Sequence, residues 1–180
     1  MHERSSSLSE QEGESNPSGV SQKDDSNKPG YEIRIAHPSL KFSSAHFLTD
    51  HEKCGSLHGH NYYVSLLIAG QIRESAMLID FIHLKKLVRE ECALLDHKIL
   101  IPIRSPFFEI TSTEKSVKIK AKNKFYMFPL EDCVLLDLEA ITSELLALYF
   151  WRALVPHLPG KSFSVFIEET PGAVAKYGST

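Results

Sequence analysis

Phe42-Ser43-Ser44-Ala45-His46, followed by Cys54-Gly55-Ser56-Leu57-His58-Gly59-His60-Asn61, is the stretch from which the rest of this 180-residue chain is read. His58 and His60 are two apart, and alternate residues of a strand point to one face. Two imidazoles so placed can both reach one ion at ~2.0–2.1 Å from nitrogen. His46, at the end of the preceding strand, offers a third nitrogen. Three protein ligands leave one tetrahedral position open, as in a catalytic rather than a structural zinc site. Gly59 between them admits backbone conformations closed to other residues. The competing reading of a His-x-His pair is a polar strand face that holds no ion. His51, within the solvated-looking run Asp50-His51-Glu52-Lys53, is a spare ligand. His2, His37, His83 and His157 have no partner that spacing identifies and are assigned to tail, surface or packing.

Cys54 precedes His58 by four residues and has three readings. It is a further zinc ligand, a thiolate favoured by a neighbouring cation and acting as base or nucleophile, or a small buried hydrophobe. Cys92 and Cys133 sit in apolar contexts and take the last reading. Three widely spaced cysteines make no disulfide framework and fit a reducing compartment. Asp96-His97 can form a carboxylate–imidazole pair in which the carboxylate orients the ring. Glu144 opens a helix, where a carboxylate complements the dipole. Glu168-Glu169-Thr170 ends a strand. Such a pair is a solvated turn, or a carboxylate that grips a ring bearing adjacent N–H donors.

Outward from this core, the periods change in order. Ile33 and Ile35 alternate with Glu32 and Arg34, and Asn61 to Ala69 is β-rich up to Gly70. Phe81, Leu84, Leu87, Val88 and Leu95 recur at helical spacing, so a helix is expected at about 80–94 with Asp80 as N-cap. Residues 107–128 read as an inserted β-hairpin. Within it, Val117 to Lys122 alternates with lysine in the manner of an exposed edge strand, and Asn123 marks a turn. A second helix runs from about Thr142 to Val155, where Pro156 and Pro159 stop it. Phe163, Val165 and Ile167 form a strand, and Val174 to Tyr177 a short last one. The order predicts an α+β domain, an antiparallel sheet with helices on one face.

Residues 1–30 hold eight serines, six acidic and three basic side chains, and read as a disordered tail. Residues 31–180 hold 17 acidic and 17 basic side chains and form the domain. That neutrality lacks the basic excess of a nucleic-acid binder. The longest apolar run, Leu145 to Trp151, has seven residues, against the ~20 that a membrane span needs. With 42% hydrophobic and 24% charged residues the chain is globular, and a cytoplasmic location is expected.

Six short motifs stand in a fixed order: Phe42–His46, Cys54–Asn61, Ile79-Asp80-Phe81 with Leu84-Lys85, Leu95-Asp96-His97, Thr142-Ser143-Glu144 and Glu169-Thr170. In this order the chain resembles the 6-pyruvoyl-tetrahydropterin synthase / 6-carboxytetrahydropterin synthase family over residues 31–180. The resemblance implies a tunnelling fold (T-fold), a four-stranded antiparallel sheet with two helices on one face. It implies trimers or hexamers with active sites at subunit interfaces. By the same resemblance His46, His58 and His60 hold zinc, Cys54 accepts a proton, and Asp96 and His97 form a relay. Glu169 anchors a pterin ring, and Thr142, Ser143 and Glu144 help form the pocket.

The three-residue spacer between Cys54 and His58 resembles the bacterial and archaeal carboxytetrahydropterin synthases of 7-deazaguanine biosynthesis. The animal pyruvoyl-forming enzymes have a longer one. The implied reaction is a zinc-dependent lyase acting on 7,8-dihydroneopterin triphosphate, a small-molecule partner, and giving 6-carboxy-5,6,7,8-tetrahydropterin. Rival readings are elimination alone, giving 6-pyruvoyl-tetrahydropterin, side-chain cleavage alone, and a non-catalytic pterin- or zinc-binding protein. Cleaving-type members carry glutamate at the cysteine position, and a pure binder needs neither Cys54 nor the Asp96-His97 pair. The chain departs from the family pattern in its acidic tail, in the 107–128 insertion, and in Thr-Ser-Glu at the second helix start.

Overall fold

A computed structural model describes residues 30–48, 54–72 and 76–179. The expected tail, apart from Gly30, lies outside the described residues, as do His2 and His51. In chain order the elements are β1 (Tyr31–His46), β2 (His58–Gly70), α1 (Phe81–Leu95), β3 (Lys98–Pro102), β4 (Phe108–Ser112), β5 (Ser116–Ala121), β6 (Lys124–Pro129), β7 (Cys133–Leu136), α2 (Ser143–Leu154), β8 (Ser162–Thr170) and β9 (Ala173–Gly178).

The main sheet has the order β7-β3-β1-β2-β8-β9. Its last four strands are the expected antiparallel set, with β1 on β2, β2 on β8 and β8 on β9. Two short strands were not foreseen. β3 lies parallel to β1, and β7 parallel to β3, so the sheet is six-stranded and mixed. Their sequences, Lys-Ile-Leu-Ile-Pro and Cys-Val-Leu-Leu, do not alternate. β3 buries Leu100 and Ile101 in different clusters, as is usual for a parallel strand covered on both faces, while β7 at the sheet edge leaves Leu135 exposed.

The insertion is a three-stranded antiparallel sheet, β4-β5-β6, not a hairpin. β5, expected at an edge, is its central strand. Lys118 and Lys120 do face water, while Val117, Ile119 and Ala121 are buried. Alternating charge marks a wetted face, and it carries no information about whether the backbone edge is free.

Both helices cover one face of the main sheet. Asp80 caps α1, its Oδ1 accepting from the Ile82 N–H at 2.7 Å. Thr142 caps α2 through the Leu145 N–H. α1 buries Leu84, Val88, Cys92 and Leu95, and α2 buries Leu146, Ala147, Phe150 and Leu154, each set at helical spacing. They rest on Leu40, Phe42, Tyr62, Val64, Leu66, Ile68, Phe163, Val165 and Ile167. Phe42 is stacked between Tyr62 and Phe150, at 4.9 and 5.7 Å between centroids. Truncating such a ring to alanine costs ~3–5 kcal/mol. A short hydrogen bond from the Tyr149 hydroxyl to Glu91 ties the two helices together.

Along β2 the buried positions are Tyr62, Val64, Leu66 and Ile68. His60 and His58 continue the same alternation. The core face therefore runs, past the cover of the helices, into an imidazole cluster.

Candidate metal centre and its pocket

His46 at the end of β1 pairs with His58 at the start of β2, and His60 is two residues further along. The ring centroids lie 4.5 Å (His46–His58), 5.0 Å (His58–His60) and 5.4 Å (His46–His60) apart. One ligand nitrogen from each lies within 4.8 Å of the others. The outer nitrogens of two rings are already occupied. His46 Nδ1 donates to the Ile141 carbonyl at 2.8 Å, and His58 Nδ1 to the Ser56 carbonyl at 2.7 Å. Each bond fixes the tautomer that leaves Nε2 as an acceptor, the usual outer-shell arrangement of a metal-binding histidine. His58 Nε2 is buried and has no hydrogen-bond partner among the described residues. A buried orphan acceptor is costly unless something occupies it. His46 is 2% exposed, and burial, helped by His58, pushes its pKa down to about 4. The ring is thus neutral near pH 7, the form that ligates. The donor set fits a zinc ion.

Gly59 serves the cluster in a different way from the one expected. Its backbone is ordinary extended strand. A Cβ there would come 3.1 Å from the Ser44 carbonyl oxygen, so the position demands closeness to β1 rather than an unusual φ.

A pocket of about 660 Å³ opens beside the cluster. It is lined by His46, His58 and Cys54, by Thr142, Ser143 and Glu144 at the start of α2, by Glu169, and by the turn into β9. The pocket lining thus brings together seven of the ten residues singled out above; His60 belongs to the imidazole cluster but not to the lining, and the Asp96-His97 pair lies outside both. Glu169 Oε1 reaches in toward the imidazoles, 3.6 Å from His46 Nε2 and 3.5 Å from His60 Nε2. It accepts a hydrogen bond from the Tyr62 hydroxyl at 3.1 Å. Tyr62 was not singled out in the sequence. Its place two residues after His60 on one strand was the available signal. Burial and the Glu169 carboxylate push its phenol up, so it stays a donor.

Asp96 and His97 lie elsewhere. His97 Nδ1 is 2.9 Å from Asp96 Oδ2, with the His97 side chain 83% exposed. His97 lines a hollow of about 410 Å³ with Ser43, Ala45, Gly59 and Asn61, and His60 of the cluster borders the same hollow. Ser43, Ala45, Gly59 and Asn61 alternate with the histidine-bearing positions and face the other side of the sheet. His97 has a left-handed backbone (φ 59°), a conformation that costs a non-glycine residue ~1–2 kcal/mol. Three bonds to β1 hold it. The His97 N–H donates to the Ser43 carbonyl at 2.7 Å, the Ser43 N–H to Asp96 Oδ1 at 2.7 Å, and Ser44 Oγ to the Leu95 carbonyl at 2.6 Å. The Ser43 bond, and then the one to His97, holds the Asp96 carboxyl below its usual range. Cys92 is buried, its thiol pushed up to about 12, and burial also raises that of the half-buried Cys133. Both are packing residues.

The family model described as 6-pyruvoyl tetrahydropterin synthase matches residues 37–180. A Methanocaldococcus jannaschii protein named "Putative 6-carboxy-5,6,7,8-tetrahydropterin synthase" is 37% identical over 134 residues, 74% of this chain and 82% of its own. The Haemophilus influenzae 6-carboxy-5,6,7,8-tetrahydropterin synthase is 28% identical over 148 residues, 77% of this chain and 94% of its own. Among solved structures, the Plasmodium vivax 6-pyruvoyltetrahydropterin synthase, in a variant whose catalytic glutamate is replaced by alanine, superposes with a TM-score of 0.79 at 30% identity. It covers 85% of this chain and 99% of its own.

Proposed function

This chain belongs to the 6-pyruvoyl tetrahydropterin synthase family, and we propose that within it the protein is a zinc-dependent lyase. It would convert 7,8-dihydroneopterin triphosphate and one water to 6-carboxy-5,6,7,8-tetrahydropterin, acetaldehyde and triphosphate. The observation that carries this reading is the pocket in which a thiol, a carboxylate and two imidazoles of the three-histidine cluster meet. His46, His58 and His60 would hold the zinc. When bound, the ion acts as a Lewis acid that polarises the side-chain oxygens of the substrate.

The chain's own residues do the rest. Glu169 grips the N–H edge of the pterin by paired hydrogen bonds. Thr142, Ser143 and Glu144 wall the pocket. Cys54, as thiolate, takes the proton from the side-chain carbon. Asp96 keeps the His97 ring oriented through Nδ1, which frees the far nitrogen to pass a proton on the other side of the substrate. His97 lines a different hollow from the pocket that holds Cys54 and Glu169, which supports a relay supplied by a second chain. We therefore propose a homo-oligomer, trimeric or hexameric, with the site at the subunit interface, working in the cytoplasm. Among the described residues no helix is long and apolar enough to cross a membrane.

The test is a product assay of the zinc-loaded protein with 7,8-dihydroneopterin triphosphate. Carboxytetrahydropterin plus acetaldehyde is the expected result. Pyruvoyl-tetrahydropterin alone would move the protein to the elimination branch. A second reading draws on the position of Glu169 beside two imidazole nitrogens. As a fourth ligand it would close the site and make the zinc structural. Loss of zinc from Glu169→Ala would favour that reading. Retained zinc with weakened pterin binding supports the lyase.

A further inference from the structure

The inserted sheet packs beside the loop that carries Cys54 and leads into His58. Three successive carbonyls of that loop are each taken by a different part of the molecule. The Cys54 carbonyl accepts from the Leu48 N–H at 2.8 Å, just beyond β1. The Gly55 carbonyl accepts from Lys124 Nζ at 2.6 Å, at the start of β6 in the insertion. The Ser56 carbonyl accepts from the ring of His58. Lys124 also reaches Ser56 Oγ at 3.4 Å.

The same sheet holds the other shoulder of the site. Phe47, which follows His46, is 3% exposed and packs with Val117, Ile119 and Ala121. Its ring lies 4.5 Å from that of Tyr126 and 5.1 Å from that of Phe108. The insertion is therefore fastened to both segments that bear metal-ligating imidazoles. One fastening is apolar, at Phe47, and the other polar, at Gly55 and Ser56.

We propose that the inserted β4-β5-β6 sheet is a brace for the Cys54–His58 loop, and that Lys124 is its positioning residue. Lys124 lies outside the pocket lining and binds backbone and hydroxyl oxygen of the loop. Its role is to hold the Cys54 thiol and the His58 ring at a fixed separation. A thiol displaced by a fraction of an ångström loses rate without losing substrate affinity.

The experiment compares the full chain with Lys124→Met, Lys124→Arg and, as a control on the outward face of the same sheet, Lys118→Met. Hydrogen exchange of the zinc-loaded proteins is read on the peptide spanning residues 54–58. It should speed up about fivefold in Lys124→Met, the effect of losing one local hydrogen bond, and stay at the parent rate in Lys118→Met. Lys124→Arg, which keeps a donor, should recover most of the protection. In turnover, Lys124→Met should lower kcat about tenfold with KM held within about twofold. Unchanged exchange in Lys124→Met would overturn the brace. So would a raised KM at constant kcat, which would make Lys124 a substrate contact. The kinetic arm rests on the lyase reading. If the parent chain turns over no pterin triphosphate, that reading falls, while the exchange arm still decides the brace.

Discussion

On the helix-covered face of the main sheet His46 is 2% exposed, while near the opposite face the His97 side chain is 83% exposed. The first ring is desolvated and its Nδ1 is locked on a buried carbonyl. The second is wet and pairs with a carboxylate that the β1 backbone holds. One short run, Ser43 to His46, serves both. Ser43 and Ser44 grip the end of α1, and His46 points into the cluster. A single chain therefore presents two imidazole environments on one short run, and under the proposed lyase they would be two half-sites. Each ring is shaped by its own surroundings, one desolvated and one wet.

The thiol should matter most. Cys54→Ala should lower kcat ~10³-fold, the usual share of a positioned base, with zinc content unchanged by elemental analysis. Loss of zinc along with activity would make Cys54 a ligand instead. Next comes complementation. Cys54→Ala and His97→Ala chains, each inactive alone, should regain about a quarter of parental activity when unfolded and reassembled at equal ratio, because a quarter of randomly paired interfaces then hold both intact halves. No recovery would place both halves in one chain.

The two faces should also respond to acid in separate windows. In the metal-free protein the folded pKa of His46 is about 4, against 6.5 for the free side chain. Between these values the unfolded chain binds more protons, so stability falls as pH drops from 6.5 and levels off below about 4. The full effect is about 3 kcal/mol by denaturant titration, and His46→Gln should flatten it. Asp96 has its folded pKa below the usual 3.8, so its contribution is complete above that value and is lost only as pH falls further. The smallest expected contrast lies in the helix caps. Asp80→Ala and Thr142→Ala should each cost about 1 kcal/mol of stability. Only the second, at the pocket wall, should also shift KM.

The four antiparallel strands and the two helices were legible because each has one wet and one dry face, which writes a period of 2 or 3.6 into the residues. The imidazole cluster was legible for the same reason, through the two-residue step from His58 to His60. β3 and β7 were not, since five and four residues without alternation leave no period to read. Tyr62 looked like one more β-rich aromatic until strand register put its hydroxyl beside Glu169. Lys124 was invisible for a deeper reason. Its partner is a backbone carbonyl 69 residues away, and backbone acceptors have no sequence signature. The placement of Asp96 and His97 away from the pocket likewise depends on which side of the sheet the α1–β3 corner meets.

The insertion leaves the main sheet at Pro102 and returns at Cys133, whose strand partner is Ile99. Three residues of strand, ~10 Å, separate the exit from the return. A module joined through so narrow a neck can be exchanged for another of different length without re-registering its host. That makes this junction a graft point, at which the Cys54–His58 loop can be retuned from outside the sheet that bears the imidazole cluster.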